Sequence, residues 1–108
     1  MLLEETRKHR IPIIGGSIPE LCNGKVYNTA MAISPESDLI TKHRKMHLFD
    51  VNVPGGICFQ ESETLTAGDS FTVYHCSLPK TAVDIGIGVC YDMRFPELRF
   101  GSSLPTHL

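Results

Sequence analysis

The sequence predicts an α/β (α+β) fold in which strands pack between layers, and three observations carry that expectation. The segment 82–98, AVDIGIGVCYDMRFPEL, opens with Val83, Ile85, Ile87 and Val89 around two glycines, the pattern of a strand buried on both faces. After Cys90 the segment turns polar through Tyr91, Asp92 and Arg94. Pro96 and Glu97 then read as a helix start, with proline at the first helical position and an acid in the first turn. Two further strand-like runs, 26–33 and 39–45, flank SPESD at 34–38, which reads as a β-hairpin with a loop longer than a two-residue turn.

MLLEETRKHR (1–10) reads as the end of a helix, its basic residues complementing the macrodipole in the last turn. IPIIGGSIPE then suggests a short buried strand over 11–14 that stops at two glycines, with Pro12 at its first residue or on a sheet edge. Asn23 and Gly24 mark a turn before the strand at 26–33. From Met46 to Asp69 no period of 2 or 3.6 is sustained, and Pro54, Gly55, Gly56 and Gly68 punctuate the stretch. A loop of this length is expected to be functional, and its apolar content (Leu48, Phe49, Val51, Val53, Ile57, Phe59) predicts that it is ordered. SFTVYHCSLP gives one more strand before the segment at 82–98. In RFGSSLPTHL (99–108), Gly101 and two serines interrupt the last helix after about one turn, and Pro105 prevents its resumption.

Composition narrows the function classes. A chain of 108 residues with 42% hydrophobic and 20% charged residues suits one small globular domain. Its net charge of -2 argues against nucleic acid as the main partner, the densest basic run being KHRK at 42–45. The four cysteines form no CxxC pair, which weakens zinc-ribbon and dithiol readings. Met1 is followed by two leucines and then Glu4, Glu5 and Arg7, which is no signal peptide. Reduced thiols and a cytoplasmic location are therefore expected, with a mitochondrial one also open. No apolar run approaches membrane-spanning length, so no membrane partner is expected.

Four groups could carry chemistry. Cys90, at the corner between a buried strand and a helix start, has the setting of a nucleophile elbow, with Arg94 and a helix N-terminus favouring its thiolate. The alternative is a buried structural cysteine. Lys45, at the end of its strand, occupies the position that builds a cleft in layered α/β folds. There it binds a developing oxyanion, or else it is a solvated lysine in a basic run. Glu61 could orient that lysine or take a proton, or be an ordinary loop acid. His43 and His47 stand four apart, but on a strand, and Arg44 replaces the glutamate of a zincin motif, so no metal is expected.

The motifs IGGSIPE (14–20), YNTA (27–30), KHRKMHLFDVNVPG (42–55), FQESETLTAGD (59–69) and GIGVCYDMRFPEL (86–98) together resemble the nitrilase (carbon–nitrogen hydrolase) superfamily, and within it the omega-amidase branch. The resemblance implies a four-layer α-β-β-α sandwich that dimerises and a Glu-Lys-Cys triad. By motif, Cys90 would be the nucleophile and Lys45 the stabiliser of the tetrahedral intermediate. Glu61 would be the additional active-site glutamate, and the backbone N–H of Tyr91 the second oxyanion donor. The implied substrates are small amides, the omega-amides 2-oxoglutaramate and 2-oxosuccinamate, and no metal or organic cofactor is implied.

Departures from the family pattern are equally specific. Neither Glu4 nor Glu5 stands in the general-base motif, and GSSLPTHL does not match the family's sequence beyond the elbow helix. Residues 1–100 therefore read as the central part of such a domain, truncated at both ends, and 101–108 as a tail outside it. Loss of the base would remove about 10²- to 10⁴-fold of proton-transfer catalysis, so the chain alone is expected to be inactive. The rival readings are another amidase of the superfamily, a non-catalytic product that pairs with full-length subunits, and a redox thiol at Cys90.

Overall fold

The computed structural model describes residues 2–35 and 40–97. Most of the expected turn at 34–38 and the whole tail at 101–108 lie outside them. The described residues form one helix and seven strands, the mixed α+β fold expected. Helix α1 (Leu2–His9) has Glu4 and Glu5 in its first turn and Arg7, Lys8 and His9 in its last, so both ends complement the macrodipole. It ends as Arg10 enters the left-handed region at φ 54°.

Strands β1 (Ile13–Cys22), β2 (Lys25–Ile33) and β3 (Ile40–Arg44) form an antiparallel sheet in that order. Asn23 and Gly24, at φ 52° and 77°, close the β1–β2 hairpin as a two-residue turn between the paired Cys22 and Lys25. The expectation of a short buried strand stopping at Gly15 is corrected here. β1 runs for ten residues through both glycines, and a register shift between Ile14 and Ser17 absorbs them as a bulge. Ile11, just before the strand, and Ile14 within it are also about half exposed, and β1 is an edge strand of its sheet. The same edge position tolerates Pro19.

One carboxylate ties the three strands together. Glu20 on β1 accepts from Thr29 Oγ1 on β2 at 2.8 Å, and from Lys42 Nζ at 2.9 Å and Arg44 Nε at 3.0 Å on β3. The Arg44 guanidinium lies 4.1 Å above the Tyr27 ring. Hydrogen bonds from Arg44, then Lys42 and Thr29, hold the Glu20 carboxyl down at about 2, from an ordinary 4.5.

The segment 46–69 is ordered as expected but is not a plain loop. Strands β4 (Asp50–Asn52) and β5 (Cys58–Gln60) pair antiparallel, and a one-turn 3-10 helix, Glu61–Glu63, comes next. Three-residue strands are too short to leave an alternation in the sequence. Strands β6 (Thr72–Leu78) and β7 (Thr81–Ile87) form a second antiparallel pair. The apolar run of β7 predicts burial on both faces, and this too is corrected: Ala82, Val83 and Asp84 are exposed, and only Ile87 and the following Val89 are buried. The reason is that among the described residues β7 pairs with β6 alone, and only its end near the elbow reaches the core.

That core joins Ala30 and Ala32 of β2 to Tyr74 and Cys76 of β6 and to Ile87 and Val89. The two alanines let the layers approach closely.

Because the Glu20 carboxyl is lower in the fold than in the unfolded chain, its contribution is complete above about 4.5 and is lost as the pH falls toward about 2. Circular dichroism between those limits is expected to show loss of sheet signal, with Glu20→Gln flattening the pH dependence. Equal acid sensitivity in both proteins would contradict this.

Candidate active site

The chain reaches Cys90 through the buried Val89 and there turns sharply. Cys90 sits at φ 49°, a left-handed conformation that costs a non-glycine residue about 1–2 kcal/mol, and it begins a 3-10 helix, Cys90–Arg94. The helical turn thus begins at the cysteine itself, six residues before Pro96, and Phe95 returns to extended backbone before Pro96 and Glu97. Cys90 is exposed, and among the described residues its thiol carries no hydrogen bond. The buried-structural alternative for this cysteine is therefore not what the fold shows.

Hydrogen bonds close a ring around the turn. The Asp92 N–H donates to Val89 O and the Val89 N–H donates to Asp92 Oδ2, both at 3.0 Å. Asp92 itself is only 1% exposed, and its carboxylate draws donors from far along the chain. Oδ1 accepts from Met46 N at 3.2 Å, His47 N at 2.9 Å and His47 Nδ1 at 2.8 Å. Oδ2 also accepts from His43 Nε2 at 3.0 Å, while the other nitrogen of His43 meets Thr72 Oγ1 on β6. Burial pushes the Asp92 carboxyl up, but hydrogen bonds from His43, the Val89 N–H and His47 outweigh it and hold the group below the usual carboxylate range.

Lys45 follows β3 directly, and its backbone is fixed on both sides. Its N–H donates to Asn28 O at 2.8 Å, and its carbonyl accepts from Gly68 N at 2.9 Å. Its side chain is 2% exposed, so the solvated-lysine alternative is not what the fold shows either. Nζ meets Glu61 Oε1 at 2.5 Å, and the same oxygen accepts the Phe49 N–H at 2.8 Å. Gly68 is required by this approach: a Cβ there would stand 2.7 Å from Arg44 Cβ and 2.9 Å from the Arg44 carbonyl carbon.

Aromatic contacts join the two halves of the site. The rings of His47 and Phe95 stack at 3.8 Å, Phe95 meets Tyr91 edge-on at 5.3 Å, and Tyr91 meets Phe49 at 5.0 Å. Of the residues singled out in the sequence, Lys45 and Glu61 are thus in direct contact, and Cys90 and Tyr91 form the elbow. Phe49 touches both groups, through its N–H on Glu61 and its ring on Tyr91. Asp92 does not stand out in the sequence as a functional residue. Apart from Val89, the partners it gathers lie 45 and more positions away, and the only hint is the spacing of His43 and His47, which meet on its carboxylate. Among the described residues, no three His, Cys, Asp or Glu side chains are disposed to hold a metal ion.

The exposed Cys90 on its strained turn is thus linked, through the Tyr91 and Phe49 rings and the Phe49 N–H, to the buried Lys45–Glu61 pair. The sequence model of the Carbon-nitrogen hydrolase family matches residues 1–105. The chain belongs to that family. Among carbon–nitrogen hydrolase relatives, Omega-amidase NIT2-B of Xenopus laevis is 52% identical over 98 residues, which are 91% of this chain and 34% of that protein. Omega-amidase NIT2 of Mus musculus is 52% identical over 97 residues, 90% of this chain and 34% of the other. The crystal structure of Saccharomyces cerevisiae Nit3, a member of branch 10 of the nitrilase superfamily, superposes with a TM-score of 0.72 at 40% identity, over 94% of this chain and 33% of that one. The chain thus spans about a third of the length of the relatives it matches.

Two stability measurements check the site's construction. Gly68→Ala is expected to cost about 1–3 kcal/mol in urea unfolding through overpacking on the Arg44 backbone, and an unchanged midpoint would contradict the close approach. Lys45→Met alone leaves the Glu61 carboxylate unpaired and is expected to cost about 3–5 kcal/mol, most of which Lys45→Met with Glu61→Gln recovers. Equal losses in the single and double variants would show that the pair is not coupled.

Proposed function

We propose that these residues are the nucleophile-bearing part of an amidase of the omega-amidase type, acting on small omega-amides of 2-oxo dicarboxylic acids such as 2-oxoglutaramate and 2-oxosuccinamate. The observation that carries this reading is the exposed Cys90 at φ 49°, tied through Asp92 to the segment that holds the buried Lys45–Glu61 pair. Similarity to two omega-amidases at 52% identity supports the substrate class.

In this scheme the Cys90 thiolate attacks the amide carbonyl, and the carbonyl π electrons move onto oxygen. The Lys45 ammonium and the Tyr91 N–H receive that oxyanion. Collapse expels the nitrogen as ammonia once it has gained a proton, leaving a thioester on Cys90. Water then adds to the thioester and releases the 2-oxo acid with the thiol restored. Glu61 keeps the Lys45 ammonium aimed. A general base has to take the thiol proton and later activate the water, and no glutamate of these 108 residues stands in the family's base motif. The 108-residue chain by itself is therefore proposed to be without turnover.

The test compares the protein isolated from its source through a thiol probe on Cys90 with the 108-residue chain, each given 2-oxoglutaramate and followed by ammonia release. The source protein is expected to release ammonia and the isolated chain to release none. Release from the isolated chain that disappears in Cys90→Ala would overturn the proposed inactivity. A source protein that hydrolyses neither omega-amide would overturn the substrate assignment.

A further inference from the structure

Asp92 takes no part in the bonds made and broken above, yet its carboxylate is more completely buried than that of Glu61 and gathers donors from both halves of the site. We infer that Asp92 is a positioning residue for the reaction: it sets where the Cys90 thiol stands relative to the Lys45 ammonium. The inference rests on the reading of Cys90 as nucleophile and Lys45 as oxyanion partner.

The strain at Cys90 is the first support. A non-glycine residue at φ 49° persists only where its surroundings over-determine it. Here the determinant is the ring in which Asp92 gives its N–H to Val89 O and takes the Val89 N–H on Oδ2. The residues before and after the cysteine are thereby fixed to each other, and the thiol is turned outward.

The second support is what the carboxylate does at its other end. Oδ1 takes the backbone N–H groups of Met46 and His47, the two residues directly after Lys45. Main-chain donors define the path of a segment more strictly than side-chain donors, because they have no rotamer of their own to adjust. Among the described residues, the hydrogen bonds that join 41–47 to 89–95 all end on Asp92. The His47–Phe95 stack also joins the two segments, as a ring contact that permits sliding. A carboxylate that accepts on both oxygens from opposite sides cannot be replaced by an amide without setting an NH₂ group against an N–H donor. Reacting groups displaced by about 1 Å typically cost on the order of 10²-fold in rate, so a fixed separation has kinetic value.

The test uses the full 108-residue chain and needs no turnover. Limiting iodoacetamide is added, and alkylation of Cys90 and of Cys58, which is also exposed, is timed by peptide mass spectrometry. Asp92→Asn is expected to slow Cys90 about tenfold or more while leaving Cys58 unchanged. In a background carrying Lys45→Met with Glu61→Gln, Asp92→Asn is expected to add no further slowing, since a positioning residue acts through the group it positions. An unchanged Cys90 rate in folded Asp92→Asn, or the same fractional slowing in the Lys45/Glu61 background, overturns the inference. Should Asp92→Asn fail to fold by circular dichroism, His47→Gln decides, because it removes one side-chain bond to Oδ1 at a partly exposed position. About threefold slowing of Cys90 is expected there, and none overturns the inference. If Cys90 in the unaltered, folded chain is not alkylated at all while Cys58 is, the nucleophile reading itself falls and takes this one with it. The unaltered chain thus separates the two failures.

Discussion

Burying a charge is costly unless the protein surrounds it with donors, and much of this site's architecture can be understood as the satisfaction of one such charge. The Asp92 carboxylate has no access to water and must find its hydrogen bonds inside the protein. It finds them on β3, on the stretch after β3, and on the strand end that leads into the elbow. Three pieces of chain far apart in sequence are thereby required to converge. His43, with no exposed surface, extends the requirement to β6 through Thr72.

A second carboxylate, Glu20, does comparable work on the sheet of β1, β2 and β3, with a different result. Glu20 binds its donors across a half-open sheet face, so it fastens β1, β2 and β3 without dictating where a loop goes. Asp92 accepts main-chain N–H groups and therefore dictates backbone position. Lys45 lies where the two systems meet: Arg44 before it reaches Glu20, and Met46 after it reaches Asp92. The lysine's own backbone is held by Asn28 and Gly68, so its side chain has little freedom left except to meet Glu61.

Local chemistry makes part of this legible in the sequence. The opening helix, the turn at Asn23 and Gly24, the strands around 26–33, 40–44 and 72–78, and the corner at Cys90 all arise from short-range signals such as charge at helix ends, turn residues and apolar runs. Burial is where the sequence misleads. A run of Val and Ile says that a strand wants cover, and it does not say whether cover is present, so β7 reads as enclosed although Val83 is exposed. β1 misleads for the opposite reason. Its glycines look like a stop, yet a bulge carries the ladder past them. At the site, Cys90 stands out by its place between an apolar strand and a polar turn, whereas Lys45 in a basic run and Glu61 in a loop gain weight only together with it and with the family motifs around them. Asp92 does not stand out, because an acid beside a cysteine in a polar turn looks ordinary until the fold brings Met46 and His47 to it.

The two outermost strands differ in how they meet other chains. β1 carries a proline at position 19 and a kink at its glycines, both of which spoil it as a template for a foreign strand. β7 has neither: TAVDIGI contains no proline and no lysine, its register with β6 has no shift, and among the described residues no strand pairs with its other edge, Asp84 being its only charge. In concentrated solution the cross-chain β pairing that begins aggregation should therefore start along β7, and the solubility of the chain depends on whatever lies against that edge.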